Sequence, residues 1–337
     1  TNDAAGAGGS TAGAAGAEAT AGAAGAAGTG GAPPVPPPVE VCPVDDGQDT
    51  ADLTLVVLGI TWDDADHDAG TGNTGDAGAA DAGEVADGGG VLPPNVLLPG
   101  LVGWATQPGL GSTATLGGAM GRVVTARTRG ELEEFAQSPE PLVIRICGTI
   151  RAPVVRVSSN KTLVGVGRGA TLEGGLAIQG EPDAFVHDVV VKNLRVNAAV
   201  STADGVGILI DRAHHVWVDH AELFDAVAGL LHVGRGADFV TVSWTKFHFT
   251  PATPDPEHRF ACMIGLSDAD EAVDTGHLKV TLHHNWWADF IRQRAPRVRF
   301  GDVHVFNNYY SSVGNDYSVW AALDSRVLLE NNYFYGV

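Results

Sequence analysis

Before Arg122 the chain has no lysine or arginine at all. Residues 1–95 nevertheless carry 15 of the 40 acidic side chains, so much of the formal charge of −20 belongs to the N-terminal part. The remainder is close to balanced, with 25 acids against 20 bases. A duplex nucleic-acid partner requires a broad basic surface, and this composition argues against one. Cysteine is equally scarce. Cys42, Cys147 and Cys262, an odd number without a pairing pattern, do not make a disulfide framework. Cys147, inside the apolar stretch "LVIRICGTI", reads as a buried thiol, with a Cys147–Cys262 bridge as the open alternative. No apolar run approaches the ~20 residues of a membrane span, so no transmembrane segment is expected.

What is present divides into two textures. Residues 1–32 are almost wholly Ala, Gly and Thr, "APPVPPPVEV" follows, and residues 62–90 are rich in Asp, Gly and Ala. Such compositions bury too little apolar surface to offset chain entropy, and the proline stretch favours extended polyproline II. Residues 1–95 therefore read as a disordered tether, dispensable for folding, of the kind that projects a protein from a cell surface. Within it, "DLTLVVLGITW" (52–62) reads as one hydrophobic strand or a binding peptide.

From residue 96 onward short Val/Ile/Leu strands recur. "VVVKNLRV" (189–196), "VWVDHAEL" (216–223), "VTVSWTKF" (240–247), "VTLHHNWW" (280–287), "VHVFNNYY" (303–310) and "VLLENNYF" (327–334) share one pattern, with starts 27, 24, 40, 23 and 24 residues apart. A period in this range marks a solenoid, and period-2 alternation makes its elements strands. The expected fold of residues 96–337 is all-β, a right-handed parallel β-helix with one repeat per coil. Stacking at ~4.8 Å superimposes equivalent residues. Asn307 and Asn331, with His220 and His284 in the same column, are expected to form a ladder inside a turn, because buried polar groups need partners. The segment "ELEEFAQSP" (131–139) predicts a short helix covering the N-terminal end. Residues 248–279 interrupt the repeat, and their Pro-rich part predicts a loop on the binding face. The pairs His214–His215 and His283–His284 are expected to face opposite ways, as neighbours on a strand do. Trp286–Trp287 and Tyr309–Tyr310 read as core on one side and core or sugar platform on the other.

In this cation-poor chain, "IRQRAPRVRF" concentrates Arg292, Arg294, Arg297 and Arg299. Together with "VWVDHAELFD", "RQRAPRVRFGDVHVFNNYY", "DTGHLKVTLHHNWW" and "GGAMGRVVTARTRGELEE", this stretch resembles the pectate lyases of polysaccharide lyase family 1. The resemblance implies the same parallel β-helix, and a β-elimination that removes the C5 proton of polygalacturonate. It implies Arg294 as the base, Arg299 as a carboxylate-binding arginine, and Arg297 as a supporting one. Arg259 stands beside Phe260, which occupies the family's substrate lysine position. Asp219 and His220 fall on the family's strand motif and read as structural. The family's Ca2+ site implies Asp204 as one ligand. The positions of its other two acids read Ala228 and His232, which supply no carboxylate; Asp225 or Glu222 compensates only if the local register shifts.

The function expected is an extracellular polysaccharide lyase, secreted and tethered at a cell surface, monomeric, with an acidic polysaccharide as its partner. Two alternatives stay open: a calcium-independent enzyme resembling the pectin lyases, and a non-catalytic β-helix protein that binds acidic glycans. The chain ends directly after a repeat where the family continues for further coils, so the expectation is either a fragment or an unusually exposed last coil.

Overall fold

The computed structural model describes residues 100–337; the expectations for residues 1–95 lie outside them. The described residues form a right-handed parallel β-helix, as the repeat predicts. Each coil passes through three parallel sheets. The first holds Val186–Lys192, Ala213–Asp219, Asp238–Ser243, Lys279–His283, Asp302–Phe306 and Arg326–Glu330. After a corner comes the second, with Arg195–Asn197, Glu222–Phe224, Lys246–His248, Trp286–Trp287, Tyr309–Tyr310 and Tyr333–Phe334. The third, which carries the site, holds Val206–Asp211, Gly229–Gly234, Cys262–Ile264, Arg297–Val298 and Trp320–Ala321.

Alternation drives one residue of each pair inward. Leu163, Val191, Val218, Val242, Leu282 and Val305 align coil upon coil, and all are fully buried. The doubled aromatics divide as the alternation requires. Phe247, Trp287 and Tyr310 stack through the interior and Phe334, exposed on the last coil, continues the stack, with centroids 4.3, 5.8 and 4.4 Å apart. Trp286, Tyr309 and Tyr333 stack outside. Their ring faces are taken up by one another and by Lys246 over Trp286, so they leave no flat platform for a sugar.

The corner between the first two sheets explains the Asn residues and corrects the expected ladder. Asn193, His220, Trp244, His284, Asn307 and Asn331 all take a left-handed φ, between 48 and 54°. That conformation turns the chain and throws their side chains outward, where His220, Trp244 and His284 stack. The inward ladder is made by the next residue. Asn308 Oδ1 accepts from the Asn285 amide at 2.9 Å, and Asn332 Oδ1 accepts from the Asn308 amide at 3.0 Å. Each side-chain amide also donates to a carbonyl of the preceding coil, Asn285 to Val242, Asn308 to Leu282 and Asn332 to Val305. Asn307 and Asn331 are therefore corner residues, not ladder residues. Asp219 is buried and structural, accepting from Ser243 at 2.6 Å and His220 at 2.7 Å and pairing with Lys192 at 3.0 Å.

Helix α1, Arg129–Gln137, covers the N-terminal end with Leu132 and Ala136 buried. It begins at Thr128 in a capping box with Glu131, which satisfies two exposed amide groups at once. The 40-residue gap in the repeat is not one insertion: Cys262–Ile264 keeps its place in the third sheet, and two loops flank it.

Two further expectations are corrected. Cys147 is disulfide-bonded, and Cys262 is a free buried thiol, so no Cys147–Cys262 bridge exists. The paired histidines touch instead of diverging: their Nδ1 atoms approach to 2.8 Å in His214–His215 and 2.9 Å in His283–His284. The second member of each pair has a positive φ, which breaks strict alternation.

Two outcomes follow. Asn308→Ala, which strips the ladder of its centre and leaves buried amides unpaired, is expected to lower stability by about 2–4 kcal/mol, measured by denaturant unfolding. Burial holds His214 and His283 neutral in the fold, with pKa values pushed down to about 4. The unfolded chain takes up those protons first, so stability is expected to be full above about pH 6.5 and to fall as pH drops toward 4. Among the described residues only Asp274, raised by burial to about 6, opposes the trend, and a flat unfolding midpoint across this window would contradict the assignment.

Candidate active site

Three segments meet on the outer side of the third sheet. The loop 249–261 runs into Cys262–Ile264, the arginine segment runs into Arg297–Val298, and residues 315–319 run into Trp320–Ala321. Backbone bonds lock them in register: Cys262 donates to the Arg294 carbonyl at 2.5 Å, Ala261 to that of Gln293 at 3.0 Å, and Ala295 to that of Ser318 at 2.8 Å. Arg294 has a φ of 64°. Many corner residues of this solenoid share that conformation, so it does not by itself mark function.

The four arginines do different things. Arg292 is a rim residue, bound to Glu257 at 2.7 Å and to Asp316 at 3.4 Å. Arg299 is 9% exposed; its Nε donates to Asp268 at 2.5 Å and its Nη1 to the Gly265 carbonyl at 3.0 Å. Asp268 must yield before Arg299 can meet an acidic ligand. Arg294 and Arg297 pack on aromatic faces instead. The Arg294 guanidinium carbon lies 4.0 Å from the Phe260 ring, and that of Arg297 lies 4.5 Å from the Trp320 ring. Arg259 lies over Phe290 at 5.1 Å. Phe260, where the family has a lysine, thus supports the guanidinium of Arg294.

Polar atoms buried without a hydrogen-bond partner gather on these segments: Nε of Arg259, Arg294 and Arg297, the Tyr317 hydroxyl, and Nε2 of His232. Other buried polar atoms, among them His283 Nε2, Asp274 Oδ2 and the Tyr310 hydroxyl, also lack partners; what sets this group apart is that three of its atoms are guanidinium nitrogens, whose chemistry points to an acidic ligand. Burial lowers the Arg294 pKa, and neighbouring Arg297 and Arg299 lower it further, while Tyr317 opposes them. Sequence reasoning missed Tyr317 and the aromatic lining, because no residue near Tyr317 matched a motif. The only signal was that Trp320 lies one coil from Arg297.

The residues at the expected metal positions do not fit calcium. Ala228 donates to the Gly205 carbonyl at 2.8 Å, so the coils of Asp204 and Ala228 stack as expected. Asp204 is exposed, Ala228 has no oxygen ligand on its side chain, and His232 is a ring nitrogen donor. Asp225 is occupied by Thr250, at 2.8 and 2.7 Å, and Glu222 by Arg195 and His248, at 2.6 and 2.9 Å. Among the described residues no cluster of three acidic, histidine or cysteine side chains is placed to hold a metal ion, and a hard cation requires several oxygens.

Solved structures share this fold. A thermostable pectate lyase aligns with a TM-score of 0.57 and 25% identity over 72% of this chain and 79% of its own. The Bacillus subtilis pectate lyase aligns with a TM-score of 0.56 and 23% identity over 69% and 78%. These define the class, a pectate lyase-like parallel β-helix. A "Pectate lyase" family model matches residues 100–336. The pectate lyase plyB of Emericella nidulans is 35% identical over 243 residues, 69% of this chain and 68% of its own length. A pectate trisaccharide-lyase of Thermotoga maritima is 33% identical over 62% of this chain and 57% of its own. The chain belongs to the pectate lyase family, and its class of activity is that of a polysaccharide lyase. Among the described residues no helix is long and apolar enough to cross a membrane.

Asp268→Asn, which frees Arg299 without changing its size or place, is expected to tighten binding of trigalacturonate several-fold, on the order of the Coulomb gain for one exposed pair. Calorimetric titration checks it; unchanged affinity would remove Arg299 from the list of ligand groups.

Proposed function

We propose that this chain cleaves polygalacturonate by β-elimination, with Arg294 accepting the C5 proton. The observation that carries the reading is the convergence of Arg294, Arg297 and Arg299 on one face of an acidic protein, with the Nε atoms of Arg294 and Arg297 buried and without partners. The C5 proton lies α to the uronate carboxylate. Its removal leaves an electron pair that forms the C4=C5 double bond as the C4–O4 bond breaks, and the departing O4 takes a proton from solvent. Arg297 and, once Asp268 yields, Arg299 stabilise the negative charge that builds on the carboxylate. A base must be neutral first, and arginine ordinarily is not. Burial on Phe260 and the crowding of Arg297 and Arg299 supply the physical route to that neutral fraction. No step is assigned to calcium, because the residues present do not fit it.

A second reading has its own support. Phe260, Phe290, Tyr317 and Trp320 line the arginines, an apolar surround that suits a methyl-esterified uronate. We infer an extracellular setting from the Cys147 disulfide, since such bonds persist in oxidising compartments.

Arg294→Lys keeps the charge and loses the planar fork. It is expected to reduce turnover on polygalacturonate by about 10²–10⁴-fold while trigalacturonate still binds. The ultraviolet absorbance of the unsaturated product reports it, with methylated pectin as the parallel substrate. Near-normal turnover by the variant would remove Arg294 as the base, and faster cleavage of pectin than of polygalacturonate would favour the second reading.

A further inference from the structure

We propose that Nε2 of His232 is a direct hydrogen-bonding contact for a hydroxyl of the bound uronan, and that the chain binds this ligand with no divalent cation. The inference deepens the lyase reading and rests on it for the identity of the ligand.

His232 lies on the strand Gly229–Gly234 and pairs in register with Met263, which pairs with Arg297. Neighbours Leu231 and Val233 are fully buried in the core, so alternation puts His232 on the ligand side, in the column of Arg297. The position is shaped to take the ring. The ring folds back over Gly229, where a Cβ would stand 2.4 Å from Nε2 and push it aside. His232 is 8% exposed, and Nε2 has no partner.

The ring lies beside the Ala228 backbone, and Arg294 lies close enough to repel a proton from it. Burial does most to hold the pKa down, to about 4, so the imidazole is neutral. The neutral ring carries no positive charge, and its Nε2 has no hydrogen-bond partner. A neutral imidazole does not draw a carboxylate as a cation does, and it pairs with a hydroxyl, which can donate or accept. A galacturonate unit offers both groups: its carboxylate to the arginines, its ring hydroxyls to His232. Calcium is not needed for this arrangement, and a buried unpaired nitrogen, costly in the free protein, gains its partner when the sugar arrives.

The test is calorimetric titration of the whole chain with trigalacturonate, in chelator and in calcium, with unfolding midpoints as the folding control. Wild type is expected to bind equally in both. His232→Ala is expected to weaken binding roughly tenfold, about 1.4 kcal/mol, and His232→Gln, which keeps an acceptor, to recover most of it. Ala228→Asp combined with His232→Asp, which joins two carboxylates to Asp204, is expected to make binding calcium-dependent. Wild-type binding that vanishes in chelator and returns with calcium would overturn the proposal, as would His232→Ala binding like wild type. Binding that depends on His232 without formation of unsaturated product sinks the lyase reading and leaves this contact standing. No binding under either condition sinks both.

Discussion

Everything in this molecule depends on one constraint: every coil must match the hydrogen-bonding groups of the coil before it. The corner after the first sheet enforces the match. A left-handed residue turns the chain, and the next residue points inward, so that Asn285, Asn308 and Asn332 hand an amide from coil to coil. Buried amides have no other partners there, and a slip of one residue would leave them all unpaired. Because the corner sets the register, it also sets which side chains share a column on the third sheet, some distance along each coil. The stacking of Arg297 between Met263 and Trp320 follows from it.

Set against such a fold, the site stands out by what it leaves unmatched. Three guanidiniums on aromatic faces, a phenol and an imidazole hold polar atoms without partners, and three of those atoms are cationic. The charges are arranged by degree of commitment: Arg292 is tied at the rim, Arg299 is held by one exposed carboxylate, and Arg294 and Arg297 rest on Phe260 and Trp320. That gradient suits a polyanion, which meets mobile charges first and buried ones last.

The fold and the arginine segment were legible in the sequence, because a period near 24 residues and a run of four arginines are both local patterns. The corner was read one residue out of place. The repeat shows which positions recur, but only the left-handed φ of Asn307 decides that it faces out and Asn308 in. The histidine pairs failed for the same reason, since alternation holds only while the backbone stays extended. Tyr317 and the bond between Asp268 and Arg299 were invisible because they join residues from separate coils with no shared motif. The loss of two acids at Ala228 and His232 was plain in the sequence; that His232 lies buried over Gly229, beside Arg294, was not.

The most direct test of the account is a crystal structure of the protein with trigalacturonate. The account requires C5 of a uronate facing Arg294 and its carboxylate against Arg297 and Arg299, with a sugar hydroxyl at His232 and no cation between sugar and protein. A sugar seated on the exposed Trp286 and Tyr309 face, or a calcium ion bridging it to Asp204, would contradict it.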